Sequence, residues 1–537
     1  MPGTESDANA SGYAMTVTKD VPGRGSAARS DPNGAGAWTA GLPFGALAVR
    51  AMRVPWLWPA LLTAILGWYQ VGRPELWRDE LASWSFSTRP LPDLFTTVRH
   101  ADANHLAYYL LLHYWIAAFG DSVDAMRALS VLAMTGAAAC VTLAGRRLAG
   151  TRAGLLAGLV FALVPSVSRF AQEIRSYALD VLVATLAILL LLRAMDKPAI
   201  RRWAAYGACL AVLGYLNPVA LAVVTGHAAV VALRWWRDRD NRLLWFVPAA
   251  LAGLAAWLPL AVYSWNEEGG QVGWILRPGL DLPVFSFFAR NLFYSTSVAA
   301  AVILLAILAW VVDRRAAAVA TAFAILPVAT VWLVSQGPHS FFFPRYMLST
   351  VAAWAILAGI GLARVDVRAA VAVVVVLAVF AAGDQQVIRS PGAHNWAYYP
   401  VGKGVTYPDY AGAAAIIARQ GRAGDGIVYP SGEQEWLMIG LGVQYYLEQD
   451  FRHGALVPHQ LFLAGAAAQL HHLYPVFCKQ PAACLGNYPR AWVVVSGDTK
   501  NPYGGVLPAQ AALLRHDYRI SNRYKVPSLT VFLLVRS

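Results

Sequence analysis

Apolar residues in this chain come in long, nearly unbroken runs, and the polar residues collect between them. Runs of near-spanning length recur at about 55–71, 127–145, 153–170, 178–195, 203–217, 218–236, 243–263, 293–312, 316–334, 346–363 and 367–383. A helix needs roughly 17–25 apolar residues to cross a hydrocarbon core, so the pattern predicts about eleven transmembrane helices. The two runs flanking Asn217–Pro218 are short, about 15 residues or roughly 23 Å each as helix. They are predicted to form a tight hairpin, because one long helix there would reverse the topology of everything downstream. His105–Phe119, HLAYYLLLHYWIAAF, is also apolar, but it is short, aromatic-rich and carries two histidines. It is read as an interfacial helix lying along the membrane surface.

Both ends of the chain break the pattern. Residues 1–50 are rich in Gly, Ala, Ser, Asp and Pro without apolar periodicity, which predicts a disordered tail. No compact apolar stretch with a cleavage site precedes Pro55, so the first spanning helix is expected to act as its own insertion signal. After about residue 384 short apolar runs alternate with charged and turn residues. Helix-like stretches at 410–420, 433–448 and 461–472 are interleaved with strand-like Gly426–Tyr429, Ala491–Val495 and Ser528–Val535. That alternation predicts a small α/β domain over 385–537. The fold class is therefore mainly α: a polytopic membrane helical bundle over 51–384, with a C-terminal extracytoplasmic α/β domain.

Charge orients the bundle. One class of turn is short and basic, holding Arg146, Arg147 and Arg152; Arg193, Lys197, Arg201 and Arg202; Arg234, Arg237, Arg239 and Arg242; Arg314 and Arg315; and Arg364 and Arg368. The other class is aromatic and polar, at 73–126, 171–177, 264–292 and 335–345. The two alternate, and the positive-inside rule puts the basic turns and the N-terminus in the cytoplasm. The polar turns and the C-terminal domain then lie outside.

Composition agrees with a bilayer. Charged residues are 14% of the chain, against about 25% in soluble proteins, and the mean hydropathy is +0.47. The formal charge of +13 does not indicate nucleic acid, because the basic residues punctuate apolar runs instead of forming one patch. The abundance of Ala, Arg and Gly suits a GC-rich bacterial genome, hence a plasma membrane. Cys478 and Cys484 lie six apart in an outer loop and are expected to pair in an oxidising compartment. Cys140 and Cys209 sit in apolar helices as small buried side chains.

The candidate chemistry sits in the outer turns. An adjacent Asp79–Glu80 pair follows the first apolar run, where ionisable groups are costly unless they serve a function. With it come His105; Gln172, Glu173, Arg175 and Tyr177; Arg277 and Arg290; and His339, Arg345 and Tyr346. In SRFAQEIRSYALD the i,i+4 spacing puts Glu173 and Tyr177 on one helical face just before a span. A carboxylate here suits deprotonation of an acceptor hydroxyl. Arginines suit a donor phosphate, with their forked geometry. Simpler readings stand beside these: Arg345 as an interfacial anchor, and His105 as a cap. There is no P-loop, G-x-G-x-x-G or H-E-x-x-H, so nucleotide hydrolysis and zincin proteolysis have no support. The absence of internal repeats and midplane charges argues against a lipid-linked glycan transporter or flippase. A non-catalytic envelope scaffold is a third reading.

Over 55–385 the chain resembles the GT-C membrane glycosyltransferases, in particular the bacterial branch related to protein O-mannosyltransferases and to the lipid A aminoarabinose transferase. The resemblance is carried in order by WRDELASWS, NHLAYYLLLHYWIAAFG, MRALSVLAMTGAAACVTLAGRRLAG, SRFAQEIRSYAL and FFFPRYMLSTVAAWAILAGIGLA. It implies a polyprenyl-phosphate sugar donor and inverting transfer on the outer face to a glycolipid, polysaccharide or protein acceptor. It further implies Asp79 as base, with Glu80 orienting it or the acceptor. Glu173 and Arg175 would line the site, and Arg345 would contact the lipid phosphate. Mannose is the favoured sugar, with arabinofuranose as the alternative. The chemistry requires no metal, although related oligosaccharide transferases use a divalent cation. The family's usual His-Pro-Pro is replaced here by Asn104-His105-Leu106, and the C-terminal region matches no motif of the family.

Overall fold

A computed structural model of the chain describes residues 54–537 apart from 99–100, 265–271, 392, 394–407, 432–435, 452–453, 455, 466, 468–470 and 473. The expected disordered tail lies outside the described residues. The chain opens with α1 (Leu57–Trp68) and a long loop carrying α2 (Arg78–Ser87), α3 (Leu91–Val98) and α4 (Leu106–Phe119). The bundle continues through α5 (Val123–Leu163), α6 (Pro165–Ala171), α7 (Tyr177–Asp196), α8 (Ile200–Leu216), α9 (Val223–Asp238) and α10 (Phe246–Ser264). It closes with α11 (Leu282–Phe293), α12 (Thr296–Val312), α13 (Arg314–Val334), α14 (Val351–Leu362) and α15 (Val367–Val387).

Every apolar run falls on helix, but the lengths differ from the expectation. Among the described residues seven helices are long and apolar enough to cross a membrane. The 41-residue α5 holds two of the expected runs, kinked at Ala149–Gly150, where Gly150 has φ +89°. By contrast α1 has 12 residues and α8 has 17, and α12 meets α11 at a 98° bend. The expected 153–170 run breaks at Val164, which takes an extended conformation (φ −63°, ψ 121°) because Pro165 follows it. The segment read as interfacial forms a helix, α4, of 14 residues, about 21 Å long and too short to span.

The break at Asn217 turns the chain back on itself. Tyr206 and His227 lie on opposite sides of it, and the Tyr206 hydroxyl sits 2.9 Å from His227 Nδ1. In one continuous helix those residues would be about 30 Å apart. At the centre of the bundle α14 is almost wholly buried, and small residues let its neighbours approach. A Cβ on Gly359 would lie 2.4 Å from the Ala153 carbonyl oxygen, and one on Gly361 2.3 Å from that of Leu305. Such backbone approach is how membrane helices gain packing without a hydrophobic drive between them.

Three of the basic turns meet one another. Arg147 pairs with Asp196 at the end of α7, and Arg152 donates to the Val365 carbonyl. Polar turns are joined to the end of α1 and to one another. Gln172 Nε2 caps the end of α1 through the Gly67 and Tyr69 carbonyls at 2.9 and 2.8 Å. Gln336 and Ser340 donate to the carbonyls of Pro278 and Leu276.

The C-terminal region adds α16 (Tyr410–Gln420), α17 (Ile439–Phe451) and α18 (Pro508–Asp517). Its five-stranded sheet has the order β2-β1-β5-β7-β6. The strands are β1 (Gly426–Val428), β2 (His459–Gln460), β5 (Arg490–Ser496), β6 (Tyr518–Val526) and β7 (Leu529–Arg536). β1 runs parallel to β2 and β5, while β7 is antiparallel to β5 and β6. Side chains alternate across a strand, and both faces are used. Trp492, Val494, Leu529, Val531 and Leu533 join a core that also holds Leu76, Leu81, Trp84 and Phe86 of the first loop. Ala491, Val493, Val495, Phe532 and Leu534 pack with Ala511 and Leu514 of α18. One compact unit therefore covers residues 51–537.

Two expectations here are corrected. The helix-like stretch at 461–472 contains instead β3 (Leu463–Gly465), paired antiparallel with β4 (Val476–Phe477). The Cys478 amide donates to the Phe462 carbonyl, and Cys478 and Cys484 are bonded with Cα atoms 6.5 Å apart. The Cys478–Cys484 tie sits beside this short strand pair. The helix expected at 433–448 is α17, shifted toward the C-terminus.

Candidate active site

The Asp79–Glu80 pair lies in the first turn of α2. A helix N-terminus favours carboxylates through its unpaired N–H groups and dipole. Adjacent helical residues point about 100° apart, and this separates the two acids.

Glu80 points inward and is fully buried. Its Oε1 accepts from Arg127 Nε at 3.0 Å and the Ile174 amide at 2.9 Å; Oε2 accepts from Arg127 Nη2 at 2.9 Å and the Trp77 amide at 3.3 Å. Arg127, itself buried, also donates to the carbonyls of Val71 and Pro74. The pair thus joins the first loop to α5 and to the turn at 172–176.

Asp79 points to a more open place. Its Oδ2 accepts from Arg345 Nη1 at 3.2 Å, with the two side chains 16% and 11% exposed. Arg345 opens the 3-10 segment Pro344–Thr350 ahead of α14. Its guanidinium is walled by the rings of Trp77, Tyr177, Trp274, Phe343 and Tyr346, with centroids 5.4–5.9 Å away. Aromatic faces attract the cation and hold its plane. Arg345, Tyr177 and Tyr346 therefore come together around Asp79.

The turn after α6 brings in two more groups. Glu173 accepts from Trp77 Nε1 and from Arg169 Nη1, each at 3.0 Å, and is sealed from solvent. Burial pushes its carboxyl above the ordinary range against the pull of Arg169. The expected single helical face for Glu173 and Tyr177 is not present. Residues 172–176 form a bend, and Tyr177 is the first residue of α7. The bend lets the backbone amide of Ile174 turn inward to Glu80.

Arg175 holds a separate cluster. Its Nη2 lies 3.0 Å from His105 Nε2, and its Nη1 donates to the Tyr109 hydroxyl at 3.1 Å. His105 Nδ1 is 2.8 Å from Asp102 Oδ1, and Tyr109 donates to Asp102 Oδ2. Guanidinium nitrogens only donate, so His105 accepts at Nε2 and donates from Nδ1. It is a bridge between Arg175 and Asp102, which goes beyond a helix cap. Burial opposes ionisation of Asp102, but His105, Arg175 and Tyr109 together hold its carboxyl well below the usual range.

Arg290 and Arg277 are exposed, and neither touches this constellation; nor does His339. Arg127, Arg169, Asp102 and Tyr109 take structural places that sequence reading did not single out. Two had a visible signal: Arg127 is a charge at the head of an apolar run, and Arg169 sits four residues before Glu173.

Comparison with known proteins bears on the fold. Residues 105–265 match the sequence profile of the dolichyl-phosphate-mannose-protein mannosyltransferase family. Among curated proteins nothing matches the chain. Among solved structures, it is similar to ArnT from Cupriavidus metallidurans bound to undecaprenyl phosphate, at 15% identity and a TM-score of 0.50, over 92% of this chain and 98% of that one. The apo form of the same protein matches at 15% identity and a TM-score of 0.51, over 91% and 97%. The chain has the fold of the GT-C membrane glycosyltransferases.

Proposed function

We propose that the protein moves a sugar from a polyprenyl-phosphate donor to a cell-envelope acceptor on the outer face of a bacterial plasma membrane. The observation that carries this is the Asp79–Arg345 contact: one carboxylate and one guanidinium, mostly but not fully shielded, with Glu80 and Glu173 beside them sealed. An acceptor O–H loses its proton to Asp79 as its oxygen bonds to the anomeric carbon. The bond from that carbon to the phosphate oxygen breaks on the opposite face, so the configuration inverts. The electron pair leaves with polyprenyl phosphate, whose growing charge Arg345 stabilises through its fork of donors. The bound undecaprenyl phosphate of the structurally similar ArnT supports a lipid phosphate as the leaving group.

Glu80 positions α2, and Glu173 fixes the Trp77 ring against Arg345. The residues present do not fit a divalent cation. Among the described residues no three His, Cys, Asp or Glu side chains converge, and Asp79 and Glu173 each face an arginine. Mannose is the proposed sugar, supported by the family match over 105–265; arabinofuranose is the competing donor. The basic turns support a cytoplasmic N-terminus, and the Cys478–Cys484 bond supports an outer, oxidising location for the C-terminal region.

The test is transfer from radiolabelled polyprenyl-phosphate mannose in proteoliposomes containing envelope lipids. Asp79→Asn is expected to lower the rate by about 10²–10⁴-fold, the range for losing a general base. Near-parental turnover by this variant would remove Asp79 from that role.

A further inference from the structure

We propose, resting on the transferase reading, that Arg78 is a second phosphate-binding residue: the guanidinium that matches the extra negative charge on the polyprenyl phosphate as it leaves. Four arginines around Asp79 already face a carboxylate. Arg345 meets Asp79 at 3.2 Å, Arg127 meets Glu80 at 2.9 Å, Arg169 meets Glu173 at 3.0 Å and Arg175 meets Asp102 at 3.5 Å. Arg78 is the exception. Among the described residues it makes no ion pair or hydrogen bond, and its Nε is buried without a partner. Glu75, three residues before it, is turned instead to the amides of Tyr410 and Ala411.

Its place in the chain sets it beside the reacting groups. Arg78 is the first residue of α2, and both of its chain neighbours touch Arg345. The Trp77 ring centroid lies 5.7 Å from the Arg345 guanidinium, and Asp79 Oδ2 accepts from Arg345 Nη1 at 3.2 Å. In the first turn of α2 only Arg78 and Asp79 are not fully buried, while Glu80 and Leu81 are sealed beneath them. A cation at a helix N-terminus lies at the positive end of the dipole, where it is disfavoured. With no carboxylate to offset that, Arg78 weakens α2 instead of holding it. An unpaired guanidinium on the open side of this turn suits an anion that the protein itself does not supply.

The reaction brings that anion. A polyprenyl-phosphate sugar is a phosphodiester with one negative charge, and the polyprenyl phosphate that leaves is a monoester with two. Transfer forms the bond from the acceptor oxygen to the anomeric carbon. It breaks the bond from that carbon to the phosphate oxygen, which keeps the electron pair, and the acceptor proton goes to Asp79. Before transfer the recess holds two separate negative groups, Asp79 and the diester. Afterwards Asp79 is neutral, and both charges sit on the monoester. Arg345 alone matches one of them in either state; Arg345 and Arg78 together match both. As Asp79 takes the proton it releases Arg345, so both guanidiniums close on the same phosphate. Stabilisation that grows with the leaving group's charge acts on the transition state, hence on kcat.

Binding of undecaprenyl phosphate and of its methyl ester to the full-length protein in nanodiscs tests this without requiring activity. At about pH 8 the monoester carries two charges and the methyl ester one. The parent should prefer the monoester by more than about tenfold, and Arg78→Gln should cut that preference to within about threefold. Arg78→Lys, which keeps the charge without the fork, should restore part of it. The thermal midpoint of ligand-free Arg78→Gln should stay level or rise, because the dipole no longer opposes a cation. In turnover, Arg78→Gln should lower kcat by about tenfold or more, with donor KM changed by less than about threefold. An undiminished monoester preference in Arg78→Gln, or losses that all trace to a lowered ligand-free midpoint, would overturn the proposal. Absence of turnover in the parent, with a monoester preference that depends on Arg78, would overturn the transferase reading and leave the phosphate site standing.

Discussion

Asp79 and Glu80 are adjacent acids on one helical turn, each paired with an arginine, yet their surroundings are opposite. Glu80 and Arg127 are sealed, and each oxygen of Glu80 accepts at least two hydrogen bonds. Asp79 and Arg345 meet by a single 3.2 Å contact in an aromatic-walled recess that stays partly open. The residue types are the same; what differs is which pair has room for a substrate. A sealed, fully bonded pair is architecture. A loosely paired acid can exchange its arginine for a ligand without leaving a buried charge alone.

The largest expected effect tests the sealed half. Arg127→Met leaves Glu80 buried without its cation, which should cost about 3–5 kcal/mol. It should appear as a collapse in folded yield and in the thermal midpoint in detergent. The double variant Glu80→Met, Arg127→Met should recover much of that loss, because no uncompensated charge remains. Asp79→Asn should behave in the opposite manner, losing transfer while its thermal midpoint stays within the spread of surface substitutions, about 0.5 kcal/mol. A stable Arg127→Met protein would erase the contrast between the two pairs.

A smaller effect sharpens the open half. Arg345→Lys keeps the charge but loses the planar fork and its contact with the surrounding rings. kcat should fall about tenfold, roughly 1.4 kcal/mol, with little change in thermal midpoint. A rise in donor KM with unchanged kcat would instead mean that Arg345 holds the phosphate equally in the ground and transition states.

Much of this was legible in the sequence, for definite reasons. Spanning helices follow from apolar run length alone, so each run landed on helix, and the Asn217–Pro218 break could be read as a turn. Asp79 and Arg345 were legible as polar groups beside apolar runs. Their mutual contact was not, because 266 residues separate them and nothing local encodes it. The Glu80–Arg127 and Arg169–Glu173 pairs were missed because each arginine sits in an apolar helix where it resembles a boundary charge. The strand at Leu463–Gly465 was hidden by the Ala-rich, helix-favouring sequence next to it, and its own extended form depends on pairing with Val476–Phe477 downstream.

The smallest expected effect is a control with real content. Arg290 carries the same sequence signal as Arg345, a guanidinium near the end of an apolar helix on the polar side of the bundle. Yet it is exposed and joins none of the contacts around Asp79. If enclosure by aromatic rings and contact with Asp79 are what make an arginine functional here, Arg290→Ala should change donor turnover by less than about twofold, in line with surface substitutions away from a site. A loss comparable to that of Arg345→Lys would mean that the donor phosphate reaches α11. The recess around Asp79 would then be only part of the binding surface, and the comparison between open and sealed pairs would have to extend to the bend between α11 and α12.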